Sequence, residues 1–241
     1  KNEMQKINPN LSINSFFCDF SVQDSIRECA DKIKNDLKAI DLLINNAGVV
    51  NTEYSETIDG IENTFAVNHL GYFLFTNLLL DLVKKESESR IINVSSAAHH
   101  FVKGMQWDDI NYKDDFKMGL KAYGQSKLGN ILFTKQLAKK LQKDGVTVNA
   151  IHPGGVNTSL GNQNNSLLGR VLKIILKPFF RSPLKGSNTI IYLAEIDGLS
   201  ITGAYWVDGR VAKTSHYSKN EAEAEKLWRL SEKLVNQEFD I

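Results

Sequence analysis

The sequence predicts an α/β fold: an open, doubly wound parallel sheet with helices on both faces. Two observations predict it. Short, continuously apolar runs alternate with longer amphipathic stretches, as strand–helix–strand units require. Clusters of small and polar residues fall directly after those runs, and sheets of this kind bind ligands beyond the carboxyl ends of their strands. The 241 residues suit one domain, 1–241, without repeats, low-complexity tracts or a break in composition.

The elements follow in order. Ser12–Phe17 reads as a strand. Val22–Leu37 reads as a helix opened by Ser21 as N-cap, with Ile26, Ala30, Ile33 and Leu37 on one face. Asp41–Ile44 is a short apolar strand, and Ile58–Lys85 is largely helical. Arg90–Val94 is a strand; Gly119–Lys143 is a long helix that Gly145 closes. Val146–Ile151 is a strand, Pro183–Glu195 a helix, Tyr205–Val207 a short strand and Glu221–Phe239 a terminal helix. Ligand chemistry is therefore expected just after Ile44, Val94 and Ile151.

Composition narrows the function classes. Apolar residues make up 42% and charged residues 24%, which places the chain among soluble globular proteins and against disorder. Twenty-nine basic against 28 acidic side chains leave a net charge of +1, so no nucleic-acid partner is expected. Cys18 and Cys29 lie in no C-x-x-C pair and near no histidine at zinc-ligand spacing; they read as small apolar residues of a reducing compartment. The five histidines, His69, His99, His100, His152 and His216, show no H-x-x-x-H spacing, and no metal is expected. No run approaches the ~18 apolar residues of a membrane span. The polar opening Lys1-Asn2-Glu3-Met4 is no secretory signal, so the expected location is intracellular.

Taken one at a time, the clusters at the strand ends are turns and caps. Asn45-Asn46-Ala47-Gly48 marks a tight turn, though Ala-Gly also lets a ligand approach the main chain. Ser95-Ser96-Ala97-Ala98 offers a helix cap, or a hydroxyl for a bound carbonyl. His152-Pro153-Gly154-Gly155-Val156-Asn157-Thr158 is a sharp loop with exposed backbone N–H groups. Tyr123 and Lys127, at i and i+4, share one helix face. A free phenol, with a pKa of about 10, is a poor base at neutral pH. A neighbouring ammonium lowers that pKa and makes the tyrosine usable as an acid or base.

The combination is more specific than its parts. N-N-A-G, S-S, Y-x-x-x-K and P-G-G-V-x-T fall in this order, each where the sheet requires it, and the chain resembles the short-chain dehydrogenase/reductase family from about Phe17 to its end. Within the family it resembles the retinol dehydrogenase branch, through Asp41–Gly48, Val67-Asn68-His69-Leu70-Gly71, Asn93–His100 and Ala122–Leu128. The long stretch between Ser96 and Tyr123, and Leu227-Trp228 with Ser231, point the same way.

The resemblance implies a Rossmann-like fold and a set of roles. Tyr123 would pass a proton to or from the substrate oxygen, Lys127 would lower its pKa and bind the nicotinamide ribose, and Ser96 would hold the substrate oxygen. Asn68 would complete the tetrad by keeping a helix kinked around a water beside Lys127. Asn46, Ala47 and Gly48 would lie by the cofactor ribose; Pro153, Gly154, Val156 and Thr158 would line the nicotinamide side. Asp19 would meet the adenine amino group, although by position alone it is equally an acid before a helix N-terminus. The cofactor is NADP or NAD, with NADP favoured by the branch. Residues 162–181 would form a substrate lid whose Leu167, Leu168, Leu172, Ile174, Ile175 and Phe179 suit a small apolar alcohol, aldehyde or ketone.

The chain departs from the family in one place. No T-G-x-x-x-G-x-G turn is present, and none of the 16 glycines precedes Gly48. The expectation is a fold that is N-terminally incomplete, lacking the first two strand–helix units. Lys1 as first residue favours an incomplete sequence over a truncated protein. The alternative function is a cofactor-free, non-catalytic interaction protein on the same fold. A sheet deprived of two strands should either leave the Asp41–Ile44 strand as an exposed edge or let Ser12–Phe17 slide over to pair with it. Membrane association through the lid or a missing N-terminus, a cytoplasmic or endoplasmic-reticulum-associated location, and homo-oligomer formation all fit the sequence.

Overall fold

The structure is a computed structural model and describes residues 6–86, 88–154 and 182–241. Five strands form one sheet in chain order: β1 (Leu42–Asn45), β2 (Arg90–Val94), β3 (Thr147–His152), β4 (Tyr205–Val207) and β5 (Arg210–Val211). The first four pair in parallel, with Ile44 beside Ile92 and Asn93 beside Ala150. β5 returns antiparallel to β4 across an Asp208-Gly209 turn with positive φ at both residues, which suits a two-residue hairpin.

Helices cover both faces. α1 (Gln23–Asp36) packs on α2 (Asn63–Val83), and α3 (Leu120–Lys140) lies beneath α5 (Glu221–Leu234). Leu43, Ile91 and Val148 point from the strands into the larger core, which Phe73, Leu132 and Trp228 fill from the helices. Ile92, Val94, Ile151 and Trp206 face the other way, onto Ile190 and Leu193 of α4 (Pro183–Glu195). Strands buried on both faces explain why Arg-Ile-Ile-Asn-Val reads as a continuous apolar run rather than an alternating one.

α2 is continuous but not uniform. Its segments Asn63–Phe65 and Gly71–Val83 are α-helical, and Ala66–Leu70 between them is a π-helix. Its 21 residues, with mean hydropathy 1.2 over the most apolar 18-residue window, are long and apolar enough to cross a membrane, contrary to the expectation that no run qualifies. The fold buries 83% of the most apolar window, so here α2 is a core helix.

The bounds of β2, α4 and β4 agree with the sequence expectation residue for residue. Ser12–Phe17 does not: it forms no strand, and Phe17 is 82% exposed. A strand exists only within a ladder, and β1 pairs with β2 alone, so this segment has not slid across to cover it. β1 is an edge strand with a half-open face, Ile44 being 38% exposed. Ser21 is not the cap of α1. Its N–H and hydroxyl both donate to Asp19 Oδ1 (2.9 and 2.7 Å), and Val22 holds the N-cap position without a side-chain bond. Ile58–Glu62 precede the helix; the Glu62 carboxylate accepts from Thr64 and Phe65 N–H and starts α2 there. α5 stops at Leu234, because Asn236 takes positive φ and Phe239 folds back onto Phe73.

Candidate active site

Three strand ends supply the site. At β1, neighbouring asparagines part company. Asn45 is buried and donates to Thr76 Oγ1 and Asn93 Oδ1, both at 2.8 Å. Asn93 in turn donates to Thr134 Oγ1 at 2.9 Å, so β1, β2, α2 and α3 are tied by one internal network. Asn46 and Ala47 are exposed beyond it. The Ala47 carbonyl accepts the Tyr72 hydroxyl proton at 2.7 Å.

Serines divide in the same way at β2. Ser95 is buried and donates to the Lys127 carbonyl at 2.8 Å. Ser96 is half-buried and caps the short helix Ala97–Phe101, its Oγ accepting from Ala98 N–H at 3.2 Å. His99 steadies this turn. It accepts the Ser215 N–H at Nε2 (3.2 Å), which leaves Nδ1–H to donate to Ser96 O (2.6 Å). Burial pushes the His99 pKa down to about 4, so the ring is neutral and this tautomer holds.

α3 brings Tyr123 and Lys127 to these serines. Gly119 opens the helix at φ +69°, and a Cβ there would lie 1.9 Å from Asn51 O, so only glycine fits. The Ser96 side chain lies close enough to the Tyr123 phenol to favour its ionised form. Lys127 Nζ lies 5.6 Å from the Tyr123 ring centroid and 5.8 Å from that of Tyr72. Its amine is 3.1 Å from Val94 O.

The electrostatics reverse one expectation. Burial pushes the Tyr123 phenol above its ordinary value, and the nearby Ser96 side chain pulls the other way by less. Burial pushes Lys127 down to about 7. The i, i+4 spacing alone suggested a lowered phenol; with both groups buried, the phenol is raised instead. Tyr72 and Tyr205, also raised by burial, stand near enough for Tyr123 to add to their shifts.

Asn68 sits fully buried in the middle of the π segment. Its Oδ1 accepts from Val49 N–H (2.8 Å), and its Nδ2 donates to Val49 O (2.9 Å) and Ser126 Oγ (3.0 Å). A Cβ on Gly48 would come within 3.1 Å of Asn68 Oδ1 and 3.6 Å of Lys127 Nζ. Gly48, Asn68 and Lys127 therefore converge.

The remaining expected residues are more scattered. Asp19 is exposed, and Ser21 holds its carboxyl below the usual range. Phe20 beside it seats this segment on α2, where a Cβ at Gly71 would lie 2.7 Å from the ring. Pro153 and Gly154 follow β3 directly, half-buried, with Gly154 at φ +83°. Val156, Thr158 and the lid 162–181 lie outside the described residues. Sequence reasoning missed Tyr72, Tyr205 and His99. Tyr72 stands one turn after Asn68 on the same helix, a signal available in the spacing; Tyr205 and His99 reach the site only through tertiary packing.

The residues present suit a nicotinamide cofactor. An ammonium has three donors, and among the described residues Val94 O is the one hydrogen-bond acceptor of Lys127. Two N–H groups are thus left for hydroxyls such as those of a ribose. The absent Cβ at Gly48 leaves bare backbone next to them.

Comparison with known proteins agrees with this chemistry. A family model described as Enoyl-(Acyl carrier protein) reductase matches residues 1–209. Retinol dehydrogenase 14 of Mus musculus is 41% identical over 216 residues, covering 88% of this chain and 64% of that protein. This chain thus spans less than two thirds of that relative's length. Retinol dehydrogenase 13 of Homo sapiens is 41% identical over 235 residues, 95% of this chain and 70% of its own. Among solved structures, a protein from Mycobacterium Paratuberculosis matches with TM-score 0.71 and 30% identity over 93% of this chain and 76% of that one. The RhlG/NADP complex of Pseudomonas aeruginosa matches with TM-score 0.59 and 25% identity, covering 78% and 72%.

Proposed function

Because the chain belongs to the short-chain dehydrogenase/reductase family, we propose that it transfers a hydride between a nicotinamide cofactor, NADP in preference to NAD, and an apolar alcohol, aldehyde or ketone. The observation that carries this reading is the meeting of Ser96 and Tyr123 at the end of β2, with Lys127 one helical turn away. The relatives named for retinol support an apolar substrate, and the complex with NADP supports the cofactor.

The nicotinamide, when bound, supplies the hydride chemistry. The protein handles the proton. Tyr123 keeps its phenolic proton at neutral pH because burial disfavours the phenolate. It is therefore set up to donate that proton to a carbonyl oxygen, which the Ser96 hydroxyl holds beside it. Asn46, Ala47 and Gly48 would hold the ribose end of the cofactor with Lys127. Pro153, Gly154, Val156 and Thr158 would hold the nicotinamide end, and Asp19 the adenine. Residues 162–181 would close over an apolar substrate and keep water from the reacting carbon.

The test is NADPH oxidation by the full-length protein with retinal, a medium-chain aldehyde and a hexose as alternative substrates. Retinal and the aldehyde should give the higher kcat/KM, and NADH should serve less well than NADPH. A preference for the hexose would overturn the substrate class. Failure to bind NADPH or NADH would instead favour a cofactor-free interaction protein.

A further inference from the structure

Two features of the sequence have no role in the site described above: His69, which follows Asn68, and Ser231, near the C-terminal end. The structure joins them. His69 is fully buried in the π segment, and its Nε2 lies 3.0 Å from Ser231 Oγ on α5. Ser231 spends its only proton on Leu227 O at 2.8 Å, so its oxygen is the acceptor and His69 carries the proton on Nε2. The ring is held on its other sides by Phe65, at 5.0 Å between centroids, and by Phe133 of α3, at 6.2 Å. A Cβ on Gly129 would lie 3.1 Å from His69 Nδ1, so the ring rests directly on the α3 backbone. Burial pushes its pKa down to about 3, with the Asn130 side chain pulling the other way. The imidazole is neutral at any working pH.

Asn68 and His69 therefore grip α3 one turn apart, Asn68 through Ser126 and His69 through Gly129. A π turn is a costly local geometry that persists only where its surroundings determine it. We propose that the His69–Ser231 hydrogen bond is a positioning clamp. Through it α5, which places no residue in the site, fixes the register of Ala66–Leu70 and so aims Asn68 at Gly48 and Lys127. The catalytic consequence rests on the proposed oxidoreductase function; the clamp itself does not.

The test compares full-length wild type with Ser231→Ala, His69→Leu and His69→Gln. Glutamine carries a side-chain N–H as many bonds from Cβ as Nε2 and should restore the bond. Amide hydrogen exchange across Ala66–Leu70 should quicken on the order of tenfold in Ser231→Ala and His69→Leu, while β2 keeps its wild-type rate. With NADPH and an apolar aldehyde, kcat should fall about tenfold in these two variants with KM within about twofold, and His69→Gln should recover most of the loss. Because the ring is neutral, the loss should be the same across the pH profile. Unchanged exchange in the π segment would overturn the clamp. So would equal quickening in β2, or a His69→Gln variant as impaired as His69→Leu. If wild type neither binds nor oxidises NADPH, the functional reading fails, and exchange alone decides the clamp. If His69→Leu does not fold, Ser231→Ala carries the comparison.

Discussion

Asn45 and Asn46 differ by one residue, as do Ser95 and Ser96, yet each pair splits between two regions. Asn45 turns inward into a chain of bonds with Thr76, Asn93 and Thr134, and Ser95 turns inward onto the Lys127 carbonyl. Asn46 and Ser96 lie further out at the same strand ends, exposed and half-buried respectively. Residue type does not separate the two regions, because both use amides and hydroxyls. What separates them is burial: Asn45 and Ser95 are buried, Asn46 is exposed and Ser96 half-buried. The inner hydroxyl and amide N–H groups bond within the fold, and the outer groups are those proposed to meet a substrate or cofactor. Substitutions should therefore separate cleanly: inner ones lower stability at near-normal activity, and outer ones lower activity at near-normal stability.

The largest expected effect is on the outer side. Tyr123→Phe in the full-length protein should lower kcat on the order of 10²-fold or more, while the thermal midpoint stays within about 2 °C. Steady-state kinetics beside a melting curve checks both, and a turnover within about threefold of wild type would remove Tyr123 from catalysis. The matching inner break is Asn93→Ala. It leaves an Asn45 Nδ2 proton and Thr134 Oγ1 each short of a partner. The cost should be about 1–3 kcal/mol in denaturant unfolding. The kcat of the folded fraction should remain within about threefold of wild type.

The serine pair sharpens the contrast at a single peptide unit. Ser96→Ala should lower kcat roughly tenfold with little change in stability, since its oxygen is set by Tyr123. Ser95→Ala should cost about 1 kcal/mol, the worth of one buried hydrogen bond, and leave kcat nearly unchanged. Equal behaviour of the two alanines would show that the division is only apparent.

A further expected effect is a pH dependence of stability. Lys127 is an outer residue buried like an inner one, with its pKa lowered from 10.5 to about 7. Between those values the unfolded chain binds the proton and the folded chain does not. Stability from this group therefore rises with pH through that window and is flat below it. Lys127→Met should abolish this rise. Wild type should gain thermal midpoint on the variant as pH increases from about 7 to about 10, and a constant difference would mean that Lys127 stays charged in the fold.

Much of this division was legible in the sequence. The apolar run Arg90–Val94 can only be a doubly buried strand, and its bounds hold. Y-x-x-x-K on a helix brings Tyr123 and Lys127 together whatever surrounds them, because the helical repeat is local. The Asp208-Gly209 dipeptide is a local signal for the β4–β5 hairpin, but Arg210–Val211 is too short to show a strand period. Nothing local marks the π segment. Ala-Val-Asn-His-Leu is an ordinary helical sequence, and its extra-wide turn is imposed from outside by Val49, Ser126 and Ser231.

The sequence by itself determined what depends on neighbours along the chain: strand and helix periods, the α/β architecture, and which side chains stand at the strand ends. Tertiary structure alone decided what depends on neighbours in space. Ser12–Phe17 has strand-like residues but no ladder to join, so it is not a strand. Tyr123 has a lysine one turn away, but burial sets both pKa values: the phenol rises and the amine falls to about 7. The physical reason is the same in both cases. Ladder pairing and desolvation are set by what packs around a residue, and one stretch of sequence carries no record of that.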